Sequence, residues 1–172
     1  NDGYRYPWGP QNNAAADFID AWRHVHTVFA QQGVKNIVWI WSPHPAYEAE
    51  EFYPGDAYVD YIGAGVLNYG TVAVWSKWWS FGEIFGKFYK QMSVHKKPMM
   101  VTEFGSLAVG GDRAAWYADA LDSMQARYPL VRSVMFYHVS KDNTTTQQTL
   151  NWYIKNDKEV VNAVVKGISS WK

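Results

Sequence analysis

The feature that most limits what this sequence can become is an alternation. Short apolar runs at 36–41, 60–66, 98–103 and 132–138 are separated by longer stretches with helical spacing. The runs are apolar on both faces, as parallel strands covered by helices must be. The first helical stretch, 14–32, carries Phe18, Trp22, Val25, His26 and Phe29 in one stripe and ends at Gly33. A second opens with a capping box, Ser80 and Glu83, and continues with Phe81, Ile84, Phe85, Phe88 and Met92. A third starts near Asp112 with Tyr117, Leu121 and Met124 inward, and a last one spans 157–171 with Val161, Val164, Val165 and Ile168 inward. After the first run comes an irregular segment with a turn at Tyr53-Pro54-Gly55-Asp56 and a short helical piece near 57–59, so read in order this is a helix, then strand and helix four times over. The pattern predicts an α/β fold with a parallel sheet and helices outside it.

Four such units are half of a (β/α)8 barrel. A whole barrel takes about 250 residues, and this chain has 172. Half a barrel leaves two unpaired edges and an open core wall. The expectation is that residues 1–172 form the C-terminal half of a barrel domain. A missing N-terminal half, or a second copy in a homodimer, would then cover the open edges.

Composition removes several classes of function. Formal net charge is zero, so neither nucleic acid nor an anionic membrane surface is an expected partner. No apolar run approaches the roughly 20 residues needed to span a bilayer, so membrane insertion is not expected. With no cysteine there is no disulfide, thiolate nucleophile or cysteine zinc site. No cofactor or metal is expected, and Gly110-Gly111 lacks phosphate-loop spacing. Ten Trp and twelve Tyr point the other way, because rings with a polar edge suit sugar faces.

The aromatics concentrate where strands end. Tyr4, Tyr6 and Trp8 load the opening loop, which reads as the lip of a site. Trp41 and His44 stand at the first strand mouth, and Asn68 and Tyr69 at the second. Trp75 and Trp78 follow in a loop with Trp79, His138 ends the fourth strand, and Trp152 lies in a short later segment. These are the candidate substrate-binding residues. His24 and His26, on the first helix, read as structural. The third run matters most: it ends in Glu103, with Gly105-Ser106 read as a turn directly after it. A glutamate at a strand's C-terminal mouth is where barrels keep their chemistry.

Four stretches together resemble glycoside hydrolase family 26: Thr102-Glu103-Phe104-Gly105-Ser106, Trp22-Arg23-His24-Val25-His26, Val38-Trp39-Ile40-Trp41-Ser42-Pro43 and Phe52-Tyr53-Pro54-Gly55-Asp56. That family holds β-mannanases and related β-glucan and xylan hydrolases on a (β/α)8 barrel, and the likeness runs along essentially the whole chain. Leu67-Asn68-Tyr69-Gly70 and Gly110-Gly111-Asp112-Arg113 resemble the branch found in bacterial polysaccharide operons. An extracellular, periplasmic or envelope setting fits such a protein. The resemblance implies a retaining enzyme with two glutamates, of which Glu103 matches the nucleophile. Tyr6-Pro7-Trp8 matches the sequence that follows the acid/base, with Asn1 as the Asn of its motif. The acid/base itself would then precede the chain. One departure concerns the Tyr that mannanases carry at the sixth strand mouth: here Leu67 or Asn68 falls there, with Tyr69 one or two places on.

Retaining hydrolysis needs two carboxyls about 5–5.5 Å apart. Glu103 can attack if donors keep it ionised, and His138 and Tyr69 are the candidates. No other carboxylate is well placed as the acid. Asp56 and Asp60 flank a strand start, Glu48, Glu50 and Glu51 form a loop cluster, and Asp142 lies past the fourth strand. The sequence thus suggests a retaining endo-β-glycanase acting on a β-mannan or β-glucan-like polysaccharide, with this stretch inactive by itself. The alternative is a non-catalytic polysaccharide-binding or scaffold domain in exopolysaccharide biosynthesis.

Overall fold

Strands β1 (Ile40–Trp41), β2 (Tyr61–Asn68), β3 (Met99–Ser106) and β4 (Val131–Phe136) pair in parallel in the order β1-β2-β3-β4. The helices are α1 (Ala15–Gln31), α2 (Phe81–Met92), α3 (Arg113–Arg127) and α4 (Lys158–Ser169). This is a computed structural model, and it describes residues 7, 9, 11–44, 49–169 and 171. Sequential parallel strands joined by helical crossovers are the geometry of a barrel wall.

One face of the sheet is sealed by helices. Ile62, Ala64 and Val66 of β2 and Met99, Val101 and Phe104 of β3 are buried against Phe81, Phe85, Phe88 and Met92 of α2 and Trp116, Tyr117, Leu121 and Met124 of α3. The box before α2 forms as expected. Ser80 Oγ accepts from the Glu83 N–H at 3.2 Å, and Glu83 Oε2 accepts from the Ser80 N–H at 2.8 Å. With Lys77 Nζ 3.0 Å from its other oxygen, Glu83 is pulled down to about 2, chiefly by the Ser80 N–H and then by Lys77.

Several expected features differ. The first strand has two residues rather than six. The Trp39 N–H donates to the Asp60 carboxylate at 2.8 Å, and the Trp39 carbonyl accepts from both Asp60 and Tyr61. A side chain thus stands in for the ladder just before it begins, and Val38 is left 59% exposed. Among the described residues the segment between β1 and β2 holds no α-helix, in keeping with its irregular pattern. Two short turns of 3-10 helix, Glu50–Phe52 and Asp56–Tyr58, lead to β2, separated by Pro54 and by Gly55 at φ 102°.

The stripe on α1 is not fully covered. Phe18 and Trp22 lean on the core, but Val25 and Phe29 are exposed, because only the two-residue edge strand and those turns lie beneath. On α4 the inward face is Val160, Val164 and Gly167, not Val165 or Ile168, both of which face solvent. Gly167 sets that face: a Cβ there would lie 2.7 Å from Leu121 Cδ1 of α3. The turn expected at Gly105-Ser106 is the last part of β3. Among the described residues no helix is long and apolar enough to cross a membrane.

The capping box gives a direct test. Ser80→Ala should cost about 1 kcal/mol and Ser80→Gly only a few tenths, measured by urea unfolding. Equal losses for the two would contradict the cap.

Candidate functional site

The site begins with one surplus residue. Gly63 pairs with Met100 and Ala64 with Val101, but Gly65 pairs with Glu103, so Thr102 has no partner on β2. It is a β-bulge. In a regular strand Thr102 and Glu103 would point to opposite faces. The bulge resets the alternation, so Val101 and Phe104 both enter the helical core while Thr102 and Glu103 share the other face. Without it, a charged side chain would sit in the core layer.

Two glycines of β2 make room for this arrangement. A Cβ on Gly65 would stand 2.9 Å from Glu103 Oε2. A Cβ on Gly63 would press on Thr102 and Ser42; in its absence the two hydroxyls meet at 2.9 Å across β2. The close approach that a glycine allows at Gly65 is therefore filled by the Glu103 carboxylate.

Beyond Glu103 a small second core closes the C-terminal end of the sheet. Leu107, Leu150 and Trp152 are its buried members, with Leu67, Tyr69, Val72 and Tyr137 against them. Trp152 is fully buried, edge-on to Tyr69 at 4.9 Å and to Tyr137 at 5.7 Å, over Gly105. Its indole N–H donates to Asp142 Oδ2 at 2.9 Å. Arg113, the first residue of α3, ties this end to β3: its Nε donates to the Ser106 carbonyl at 2.7 Å and its Nη1 to that of Tyr153 at 3.2 Å.

Electrostatically, Glu103 does not have the surroundings expected of it. Its residue is exposed on the open face, yet the packing around its carboxyl, and after that the charge of Asp142, push its pKa above the ordinary value. Among the described residues no hydrogen-bond donor engages it. The expected donors have other neighbours. The Tyr69 hydroxyl meets Thr145 Oγ1 at 3.3 Å, and the His138 ring lies flat on Tyr153, 4.1 Å away and within 3° of parallel. Tyr69 is also raised, by burial first and then by Asp142, Glu103 and Tyr137, with Thr145 opposing.

The other candidates divide. Trp75 is 52% exposed and edge-on to Tyr69 at 5.2 Å, a ring available at the rim. His44 is exposed just beyond β1. Trp41 is instead buried against Tyr53, because its place in β1 turns it to the core face. Asn68 is buried too: its amide donates to Ser106 Oγ at 3.1 Å, and its oxygen accepts from the Gly70 and Trp79 N–H groups. It fixes the mouth rather than facing a ligand. Trp78 packs on the main core and against Gly111, where a Cβ would lie 2.3 Å from its ring. Trp152 supports Tyr69 from below. Tyr6 and Trp8 lie outside the described residues.

A carboxylate on the open face of a parallel barrel wall, under a rim of aromatic rings, is the arrangement of a (β/α)8 glycoside hydrolase. Residues 1–163 match glycosyl hydrolase family 26, and the chain belongs to that family. Endoglucanase H of Acetivibrio thermocellus is 29% identical over 181 residues, covering 98% of this chain and 19% of that protein. A GH26 β-mannanase from Bacteroides ovatus superposes with a TM-score of 0.66 at 20% identity, over 95% of this chain and 46% of that one. The catalytic domain of the Bacillus sp. JAMB-750 GH26 endo-β-1,4-mannanase gives 0.63 at 18%, with the same coverage. The chain thus spans about a fifth of the endoglucanase and under half of each mannanase, as a partial barrel of four strands does.

The raised Glu103 has a measurable consequence. A carboxyl whose folded pKa lies above its unfolded one binds its proton more tightly in the fold. Stability should therefore decline as pH rises from the ordinary 4.5 through the raised value. Glu103→Gln should remove that part of the decline in a pH series of urea melts. An unchanged slope would contradict the raised value.

Proposed function

We propose that the protein carrying this chain is a retaining endo-β-glycanase with Glu103 as its nucleophile. The observation that carries this reading is the bulge at Thr102, which brings Glu103 onto the open face over Gly65 in a member of a glycoside hydrolase family. In such a reaction one carboxylate attacks the anomeric carbon while a second carboxylic acid protonates the leaving oxygen. Glu103 takes the first role. Within this chain the nearest alternative, Asp142, is buried and holds Trp152 and Thr144, so it does not act as the acid. The acid/base belongs to the other half of the barrel, and residues 1–172 form the C-terminal half of the catalytic domain. Donors that lower the Glu103 pKa for attack come from the same half or from the substrate. The substrate class is a β-linked polysaccharide, mannan-like or glucan-like, in keeping with the names of the relatives. Trp75, Tyr69 and His44 line its path.

A second reading draws on the absence of donors to Glu103 among the described residues. It is a barrel that holds polysaccharide without cutting it. Turnover separates the two. In the full-length protein Glu103→Ala should lower kcat on β-mannan or β-glucan by at least about 10⁴-fold while binding persists. Gly65→Ala should fold, since the atom displaced is a flexible side-chain end, and should lose about 10–100-fold in kcat by moving the carboxylate. Binding without turnover in the unaltered protein would favour the second reading.

The uncovered edges bear on the partner. Val38 beside β1 and Met135 on β4 are exposed, and Phe18, Trp22, Val25 and Trp39 line a shallow apolar groove by α1. If residues 1–172 are stable alone, they should dimerise or exchange strands. A monodisperse monomer by light scattering would count against that.

A further inference from the structure

Asp142 lies past the fourth strand and is a poor candidate acid, but its surroundings point to another task. It is 3% exposed, at the start of a loop between β4 and α4. One carboxylate oxygen accepts the Trp152 indole N–H at 2.9 Å; the other accepts the Thr144 backbone N–H at 2.9 Å and its hydroxyl at 2.6 Å. Its backbone pairs with Leu150 in both directions, at 2.9 and 2.8 Å. A buried carboxylate so fully engaged closes the loop 142–150 into a rigid turn.

What this turn touches closes the C-terminal end of β3, the strand that carries Glu103. Thr145, next to the anchored Thr144, meets the Tyr69 hydroxyl. Trp152, fixed through its indole nitrogen, meets the Tyr69 ring at a right angle. Tyr69 thus meets Trp152, which Asp142 holds, at its ring, and at its hydroxyl Thr145, the neighbour of the Thr144 that Asp142 holds. Trp152 also covers Gly105, two residues beyond Glu103 on β3. The titratable groups sharing this space are Glu103, Asp142, Tyr69 and Tyr137.

We propose that Asp142 is a positioning residue of the active site: its buried carboxylate locks Trp152 and the 142–150 turn, and through them fixes Tyr69 at the mouth of the strands, beyond Glu103. The carboxylate has a second effect, since its charge helps raise Glu103. The proposal deepens the hydrolase reading, and its kinetic test rests on that reading.

The test uses the full-length protein with Asp142→Asn, which keeps an acceptor for Thr144 but sets an amide N–H against the indole N–H. Two measurements are made: kcat and KM on a β-glycan across pH, and NMR titration of the Glu103 carboxyl with the Tyr69 ring resonances. In a folded variant kcat should fall about 10–100-fold with KM changed less than threefold. Glu103 should titrate at lower pH, the acid limb of kcat/KM should follow it, and the Tyr69 resonances should shift. Thr144→Val, which leaves the charge in place, should move the Tyr69 resonances and kcat but not the Glu103 titration. It serves as the test if Asp142→Asn does not fold. Unmoved Tyr69 resonances with kcat within twofold of the unaltered protein, in either variant, would overturn the proposal. If the unaltered protein turns nothing over, the hydrolase reading fails, and the Tyr69 and Glu103 resonances alone decide the role of Asp142.

Discussion

The register between β2 and β3 governs everything above it. One residue in β3, Thr102, is more than β2 can match, and the mismatch falls opposite Gly65. Everything before it and after it on β3 obeys the strand alternation, with Met99, Val101, Phe104 and Ser106 on the helix side. Burying Phe104 against Trp116, Tyr117 and Phe136 fixes the phase after the bulge. Hydrophobic packing therefore forces a carboxylate onto the open face; the polar side chain need not be held by its own interactions. This explains how Glu103 can keep its position with no donor among the described residues.

The mouth above it is built in the opposite way, by polar groups that are buried and satisfied. Asn68 spans three neighbours, Asp142 accepts three hydrogen bonds from two more, and Arg113 joins the end of β3 to the segment after Trp152. Each would be costly to bury alone, and together they make the C-terminal end of the sheet rigid. The aromatic rings then occupy fixed places. Trp152 is a foundation, Tyr69 a wall and Trp75 the rim. The division leaves an apolar layer to aim Glu103 and a polar layer to shape the mouth above it.

How much of this could be read from residues alone varies with the kind of force involved. The capping box before α2 and the buried runs of β2 and β3 were legible, because each rests on local pattern. So was membership of the family, carried by several short motifs together and matched over residues 1–163. The β1 run was misleading. Its apolar residues look like a central strand, but nothing in the pattern says that it lies on an edge, where Val38 stays exposed and the ladder shortens to two residues. The stripe on α1 failed for the same reason. At the site, Glu103 ends an apolar run and so reaches the open face, whereas Trp41 and Trp152, expected at the cleft, are buried. A tryptophan at a strand end can face either way, and the face depends on register. Asp142 lies several residues past the mouth of β4, so its position along the chain gives it no role. Its value lies in an indole nitrogen ten residues on, which no spacing rule reports.

The most direct measurement of the central claim is chemical. The full-length protein would be incubated with a fluorinated β-glycoside bearing an activated leaving group, which slows breakdown of any glycosyl ester. Peptide mapping by mass spectrometry would then locate the label. The account predicts one sugar esterified to the peptide containing Glu103, and none in Glu103→Gln. A label on another carboxylate, or steady hydrolysis by Glu103→Gln, would contradict it.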